Sequence, residues 1–97
     1  MSRRLYVDDL RPCPEGWDVA RNFHQAIVML DTGDYDEVSL DHDIASFYGN
    51  KEMTGNDVLQ YLIMKKLEGA KVPTTIHVHS ANPVGVKKMQ EDIDRYF

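Results

Sequence analysis

Three short apolar runs recur along the chain, and each breaks into polar residues at its C-terminal end. Leu5-Tyr6-Val7 gives way to Asp8-Asp9, Val38-Ser39-Leu40 to Asp41-His42-Asp43, and Thr75-Ile76-His77-Val78 to His79-Ser80. Runs this short and this apolar read as buried strands. Between them the apolar spacing changes to three and four. Phe23, Ala26, Ile27 and Leu30 share one helical face behind an Asn22 cap, with Gln25 at the capping-box position and Gly33 at the stop. Thr54 and Asp57 open a second helix with the stripe Val58, Leu59, Leu62, Ile63 and Leu67, closed by Gly69. Asn82-Pro83 is an N-cap and first-turn pair for a third helix that turns Val86, Met89, Ile93 and Phe97 inward. Trp17-Asp18-Val19-Ala20 adds a weaker strand signal, since the loop with Pro12, Pro14 and Gly16 before it is short for a parallel crossover. Strands alternating with helices predict a small α/β fold in two or three layers. The expectation is one domain over residues 1–97, with three helices and a mostly parallel sheet of three or four strands.

In open α/β sheets, ligands bind beyond the carboxyl ends of the strands. All three polar clusters fall at that edge, which predicts one shared crevice. Asp8-Asp9 and Asp41-x-Asp43 bring up to four carboxylates there. Two like charges about 4 Å apart repel by roughly 4 kcal/mol at an effective dielectric near 20. Such a cluster calls for a cation, a shared proton or a donating ligand, and hard oxygen donors suit Mg²⁺ or Mn²⁺. Asp8, Asp9, Asp41 and Asp43 are therefore candidate metal ligands, against the plainer role of capping loops and helices. Alternation along a strand leaves open which of Asp8 and Asp9 faces the site.

Three of the four histidines lie at or near the same edge. His77 and His79 share one strand face. His77, taken as the deeper of the two, is expected to bond an aspartate and orient a partner. His42 and His79, nearer the rim, are candidate general acids and bases, with ordinary pKa values near neutrality. His24 falls in a helix pattern and reads as a surface residue. Ser80-Ala81-Asn82-Pro83-Val84-Gly85 ends a strand and starts a helix, so backbone N–H groups and a positive dipole end face the crevice. That suits a phosphate at Ser80, Asn82 and Gly85, although a plain helix cap explains the same residues. The chain has no Gly-Lys-Ser/Thr phosphate loop and no G-x-G-x-x-G, which argues against a nucleoside triphosphatase or dinucleotide enzyme. Ile44 to Met53 reads as a long, partly aromatic loop able to close over a ligand, with Phe47 or Tyr48 either stacking on a base or packing the loop down.

Net charge and cysteine usage narrow the field. A formal charge of −5 argues against a basic face for duplex DNA, though a nucleotide or RNA end at one small site stays open. The lone Cys13 excludes an internal disulfide and fits a reducing compartment. No stretch approaches the roughly 20 apolar residues of a membrane helix, and no apolar leader follows Arg3-Arg4, so a cytoplasmic protein off the membrane is expected.

Taken together, Leu5 to Asp9, Val38 to Asp43, the Thr54-Gly55 helix start and His77 to Gly85 with Met89 resemble the cyclic-phosphate processing receiver-like domain family. The resemblance spans nearly the whole chain. It implies a Rossmann-like sheet related to two-component receiver domains, and a role in processing cyclic phosphates, including those at RNA ends. Receivers carry an acidic pair after the first strand, matched by Asp8 and Asp9. They carry a phosphoacceptor aspartate after the central strand, matched by Asp41, and a Ser or Thr after the next, matched by Ser80. Their lysine after a fifth strand has no match here, because Lys87 and Lys88 fall in the third helix. Histidines at 42, 77 and 79 are present instead. These residues favour acid–base chemistry on a phosphoester, and with the resemblance they imply a metal-assisted phosphoesterase acting on a nucleotide or RNA 2′,3′-cyclic phosphate. The alternatives are a non-catalytic nucleotide- or protein-binding module and a phosphoaccepting receiver that uses Asp41.

Overall fold

In the computed structural model, residues 3–44 and 46–97 are described, with Tyr48 described in its backbone alone. Met1-Ser2 of the leader reading, Ala45 of the predicted loop and the Tyr48 side chain therefore lie outside the described residues. The main sheet has four parallel strands: β1 (Arg4–Val7), β2 (Asp18–Ala20), β3 (Glu37–Leu40) and β6 (Thr75–Val78), in the order β2-β1-β3-β6. Helix α1 (Phe23–Thr32) joins β2 to β3. A two-stranded antiparallel hairpin, β4 (Ser46–Tyr48) and β5 (Lys51–Met53), precedes helix α2 (Gly55–Leu67), and α3 (Pro83–Tyr96) follows β6. Three helices on a parallel sheet of four strands make a small α/β fold, as the alternating pattern predicted.

Alternation along the strands divides the sheet into two unlike faces. Leu5, Val7, Val38, Leu40 and Ile76 point into the core, where they meet Ala26, Val58, Leu59, Leu62, Met89 and Ile93 from the three helices. Each helix lies over one strand, α1 on β2, α2 on β3 and α3 on β6, so all three cover the same side. Of the two-layer and three-layer alternatives, the chain forms two layers. The other face carries Arg4, Tyr6, Ser39 and His77, and the loop 8–17 crosses part of it. Trp17 stands edge-on to Tyr6 with centroids 6.3 Å apart, and the Arg4 guanidinium lies 5.2 Å over the indole. That loop is the short crossover the sequence made doubtful: it needs no helix, because it passes over the open face instead.

The helix boundaries follow their caps. Asn22 Oδ1 accepts the Gln25 N–H at 2.9 Å, and Asn82 Oδ1 accepts the Gly85 N–H at 3.1 Å. At α2 the Asp57 carboxylate accepts the Thr54 N–H at 2.7 Å, the reciprocal half of a capping box. The segment from Ile44 to Met53 is where the pattern misled. Residues 46–53 form a hairpin turning at Gly49, with Ser46 buried, rather than an irregular loop, and Ile44 before it is buried too. Its strands are three residues each, too short to show the period-2 signature.

Candidate active site

The ladder hydrogen bonds run one residue past each strand. Asp8 N donates to Ala20 O at 3.1 Å, Asp41 N to Val7 O at 3.0 Å, and His79 N to Leu40 O at 2.9 Å. Those bonds fix Asp8, Asp41 and His79 side by side at the C-terminal edge, all on the face without helices. Asp8, Asp9 and Asp41 place carboxylate oxygens within 4.8 Å of one another. Asp9 joins them because strand alternation ends at Val7. Asp8 Oδ1 accepts the N–H groups of Leu10 and Arg11, both at 2.9 Å, and this turn brings the next carboxylate round to the same side.

Asp8 is 1% exposed and accepts four hydrogen bonds. Besides the two amides, its Oδ2 receives Arg11 Nη1 at 3.3 Å and His79 Nε2 at 3.0 Å. Burial pushes its carboxyl up, but the amides of Arg11 and Leu10 and the His79 ring outweigh that and hold it below the usual aspartate range. An ionised Asp8 can only accept, so His79 Nε2 carries the proton and Nδ1 accepts from Ser39 Oγ at 2.6 Å. The ring is stacked on Tyr6, centroids 4.2 Å apart and planes 7° from parallel. Burial lowers the His79 pKa, against the opposing pull of Asp8. His79 is thus a neutral imidazole with both nitrogens engaged.

A second cluster adjoins the first. His42 Nδ1 bonds Asp43 Oδ1 at 2.9 Å, and Asn82 Nδ2 reaches Asp43 Oδ2 at 3.4 Å. With Nδ1–H committed to a carboxylate, His42 Nε2 presents a lone pair that no described residue occupies. Two glycines make this packing possible. A Cβ on Gly85 would lie 2.6 Å from His42 Cγ, so the room left at the start of α3 is filled by the imidazole. A Cβ on Gly55 would lie 1.8 Å from the Asp41 carbonyl oxygen, and Gly55 N donates to His42 O at 2.8 Å. The start of α2 therefore backs the Asp41-His42 turn directly.

An open pocket of about 510 Å³ lies over the first cluster, lined by Asp8, Asp9, Arg11, Asp41, Asp43, Glu52 and Ser80 among others, and the second cluster reaches its wall through Asp43 while the His42 ring stands behind that wall. Ser80 Oγ accepts the Asn82 N–H at 3.2 Å, which leaves its hydroxyl hydrogen free to point into the pocket. Glu52 comes from the hairpin, and its cross-strand partner Phe47 shares that hairpin face, 69% exposed. Asp43 stands in the pocket wall but outside the set of three close carboxylates, tied to His42 instead.

His77 requires a correction. Its side chain is 50% exposed and that of His79 only 21%, so the order of burial is the reverse of the one expected. Its partner is Glu37, Nε2 to Oε2 at 2.5 Å, not an aspartate. Two residues nearer the sheet's middle, His77 is left open among the described residues, whereas Tyr6 and Arg11 crowd His79. Sequence reasoning also missed Arg11. Its Nη1 donates to His79 O at 3.0 Å and to Asp8, and lies 3.9 Å from Asp41 Oδ2. Arg21 fixes the same loop, with Nη1 donating to Arg11 O at 2.7 Å and to Asp8 O at 3.1 Å. The only available signal was a lone arginine two residues past an acidic pair, which no spacing rule singles out.

The family model described as the cyclic-phosphate processing receiver domain matches residues 3–95. The chain belongs to this family. Neither a curated protein nor a solved structure matches it. Among the described residues of this receiver-family chain, no helix is long and apolar enough to cross a membrane.

Proposed function

We propose that the pocket is the active site of a metal-assisted phosphoesterase that opens a cyclic phosphate. The observation that carries this reading is a triad of close carboxylates in an open pocket, one wall of which, Asp43, is bonded to an imidazole with one open nitrogen. Five carboxylates line the pocket against one guanidinium, so a phosphodiester cannot enter unless a cation joins it. The donor set is all hard oxygen, which fits Mg²⁺ or Mn²⁺ at Asp8, Asp9 and Asp41. Such an ion, when bound, neutralises the phosphoryl oxygens and orients an attacking water.

The chain's own groups supply the rest. His42 Nε2 accepts a proton from the attacking water, with Asp43 holding the ring and stabilising the imidazolium. The new phosphorus–oxygen bond forms as one ester bond of the ring breaks, and His42 returns the proton to the departing sugar oxygen. Ser80 donates its hydroxyl hydrogen to a non-bridging oxygen. Asn82 holds Asp43 and, through its cap, the start of α3. His79 acts as a positioning group that fixes Asp8, while Phe47 offers a flat apolar surface for a base. His77, paired with Glu37, lies outside this set.

The test is incubation with a nucleoside 2′,3′-cyclic phosphate and Mn²⁺ or Mg²⁺, followed by phosphorus NMR. Conversion to a monoester by the wild type and its loss in His42→Gln is the expected result. No conversion by the wild type with either metal overturns the proposal. If the cyclic nucleotide binds at the His42 cluster without turnover, the chain is a binding module instead.

A further inference from the structure

Arg11 occupies a place that a cation site should leave open. An ionised carboxylate offers about four lone-pair sites. Asp8 already fills that number, from Leu10 N and Arg11 N at 2.9 Å, His79 Nε2 at 3.0 Å and Arg11 Nη1 at 3.3 Å. No lone pair remains for a metal. The longest of the four bonds is the one from the Arg11 side chain, and the same Nη1 sits 3.9 Å from Asp41 Oδ2. The guanidinium therefore bridges two of the three carboxylates in the triad, as an internal counter-ion.

We infer that Arg11 is an exchangeable cation: it leaves Asp8 when a divalent ion binds and then grips the incoming anion. This inference rests on the proposed reading of the pocket as a phosphate site. Three features support it. The Arg11 backbone stays fixed, because its N–H is bonded to Asp8 Oδ1 and its carbonyl to Arg21. Only the side chain can move, so the guanidinium remains at the pocket wall. That side chain is also half exposed, at 45%, so its bond to Asp8 competes with water and is cheap to give up, and its shorter bond to His79 O at 3.0 Å can keep the guanidinium at the pocket wall as it turns. Finally, a planar fork of N–H donors matches phosphoryl oxygens in pairs, and Arg11 is the only cationic side chain lining the pocket among the described residues.

The consequence is a pair of effects of opposite sign from one substitution. Arg11→Gln removes a competitor for Asp8 and Asp41, so Mn²⁺ alone should bind about tenfold more tightly by calorimetry. With Mn²⁺ saturating, inorganic phosphate should bind the same variant about tenfold more weakly than the wild type. Tighter metal with weaker phosphate is the expected outcome. Unchanged or weaker Mn²⁺ binding overturns the exchange, and unchanged phosphate binding overturns the anion role. A measurement on the wild type needs no variant: the Arg11 Nε–H NMR signal should shift on addition of Mg²⁺, and a static signal at saturation contradicts the inference. The metal arms need no turnover, so a failed cyclic-phosphate assay and a failed exchange are separate results.

Discussion

The two ends of the sheet each gather polar side chains, and they solve the charge problem in opposite ways. At the N-terminal end, one carboxylate meets two donors. Tyr35 Oη donates to Asp18 Oδ2 at 2.7 Å and Arg3 Nη2 donates to the same oxygen at 3.0 Å, with the Arg3 guanidinium 4.6 Å over the Tyr35 ring. Burial and the Asp18 bond push the Tyr35 hydroxyl up to about 12, and the bonds from Tyr35 and Arg3 lower Asp18. Every group there is satisfied. At the C-terminal end, five carboxylates crowd one guanidinium around an open pocket. Balanced charge closes a fold, and a surplus of one sign held in place by backbone bonds could hold a cation. The contrast separates a structural knot from a candidate site without reference to any motif.

The largest effects should come from the surplus end. His42→Gln should lower turnover of a cyclic phosphate by about 10²- to 10⁴-fold, the range for a positioned general base, with the melting temperature little changed. Next, Gly55→Ala should destabilise by about 3 kcal/mol or more in urea titration, since its Cβ would fall 1.8 Å from the Asp41 carbonyl oxygen. Acidification should then distinguish His79. Its pKa is lowered in the folded state, so the unfolded chain takes up the proton first, and stability present above pH 6.5 should decline as pH falls below it. The slope is at most about 1.4 kcal/mol per pH unit for one group, and His79→Asn should flatten it in urea midpoints compared between pH 7.5 and 5.5 (about two units).

The smallest pair tests the comparison itself. Tyr35→Phe should cost about 1 kcal/mol of stability and leave turnover intact, as removing one bond from a balanced knot requires. Asp9→Asn should do the reverse. Asp9 accepts no hydrogen bond from the described residues, so removing its charge relieves repulsion. Without metal, stability should rise by roughly 0.5 kcal/mol, or about 2–4 °C, while Mn²⁺ binding weakens. A fall in metal-free stability would put Asp9 in the balanced class.

Much of this is legible in the amino-acid sequence. The strand-end polar clusters converge because parallel strands share one C-terminal edge, so Asp8, Asp41, His79 and Ser80 follow from topology alone. Helix caps at Asn22, Thr54 and Asn82 are local devices with short spacings, and they read directly. What could not be read is set by packing. The burial order of His77 and His79 depends on which parts of the open face Tyr6 and Arg11 cover. Gly85 reads in the sequence as room for a ligand, but its neighbour across the gap is the His42 ring, more than forty positions upstream in the chain. Arg11 acts through a turn made by Asp8, and no periodicity marks it.

The central claim is that the acidic triad holds a cation and thereby makes the pocket a phosphate site. Anomalous diffraction from crystals soaked with Mn²⁺ and a cyclic nucleotide tests it most directly. The account predicts a manganese peak coordinated by Asp8, Asp9 and Asp41, with phosphorus next to it and within reach of His42 and Ser80. A manganese peak away from those carboxylates, or a nucleotide seated on another face of the sheet, would contradict it.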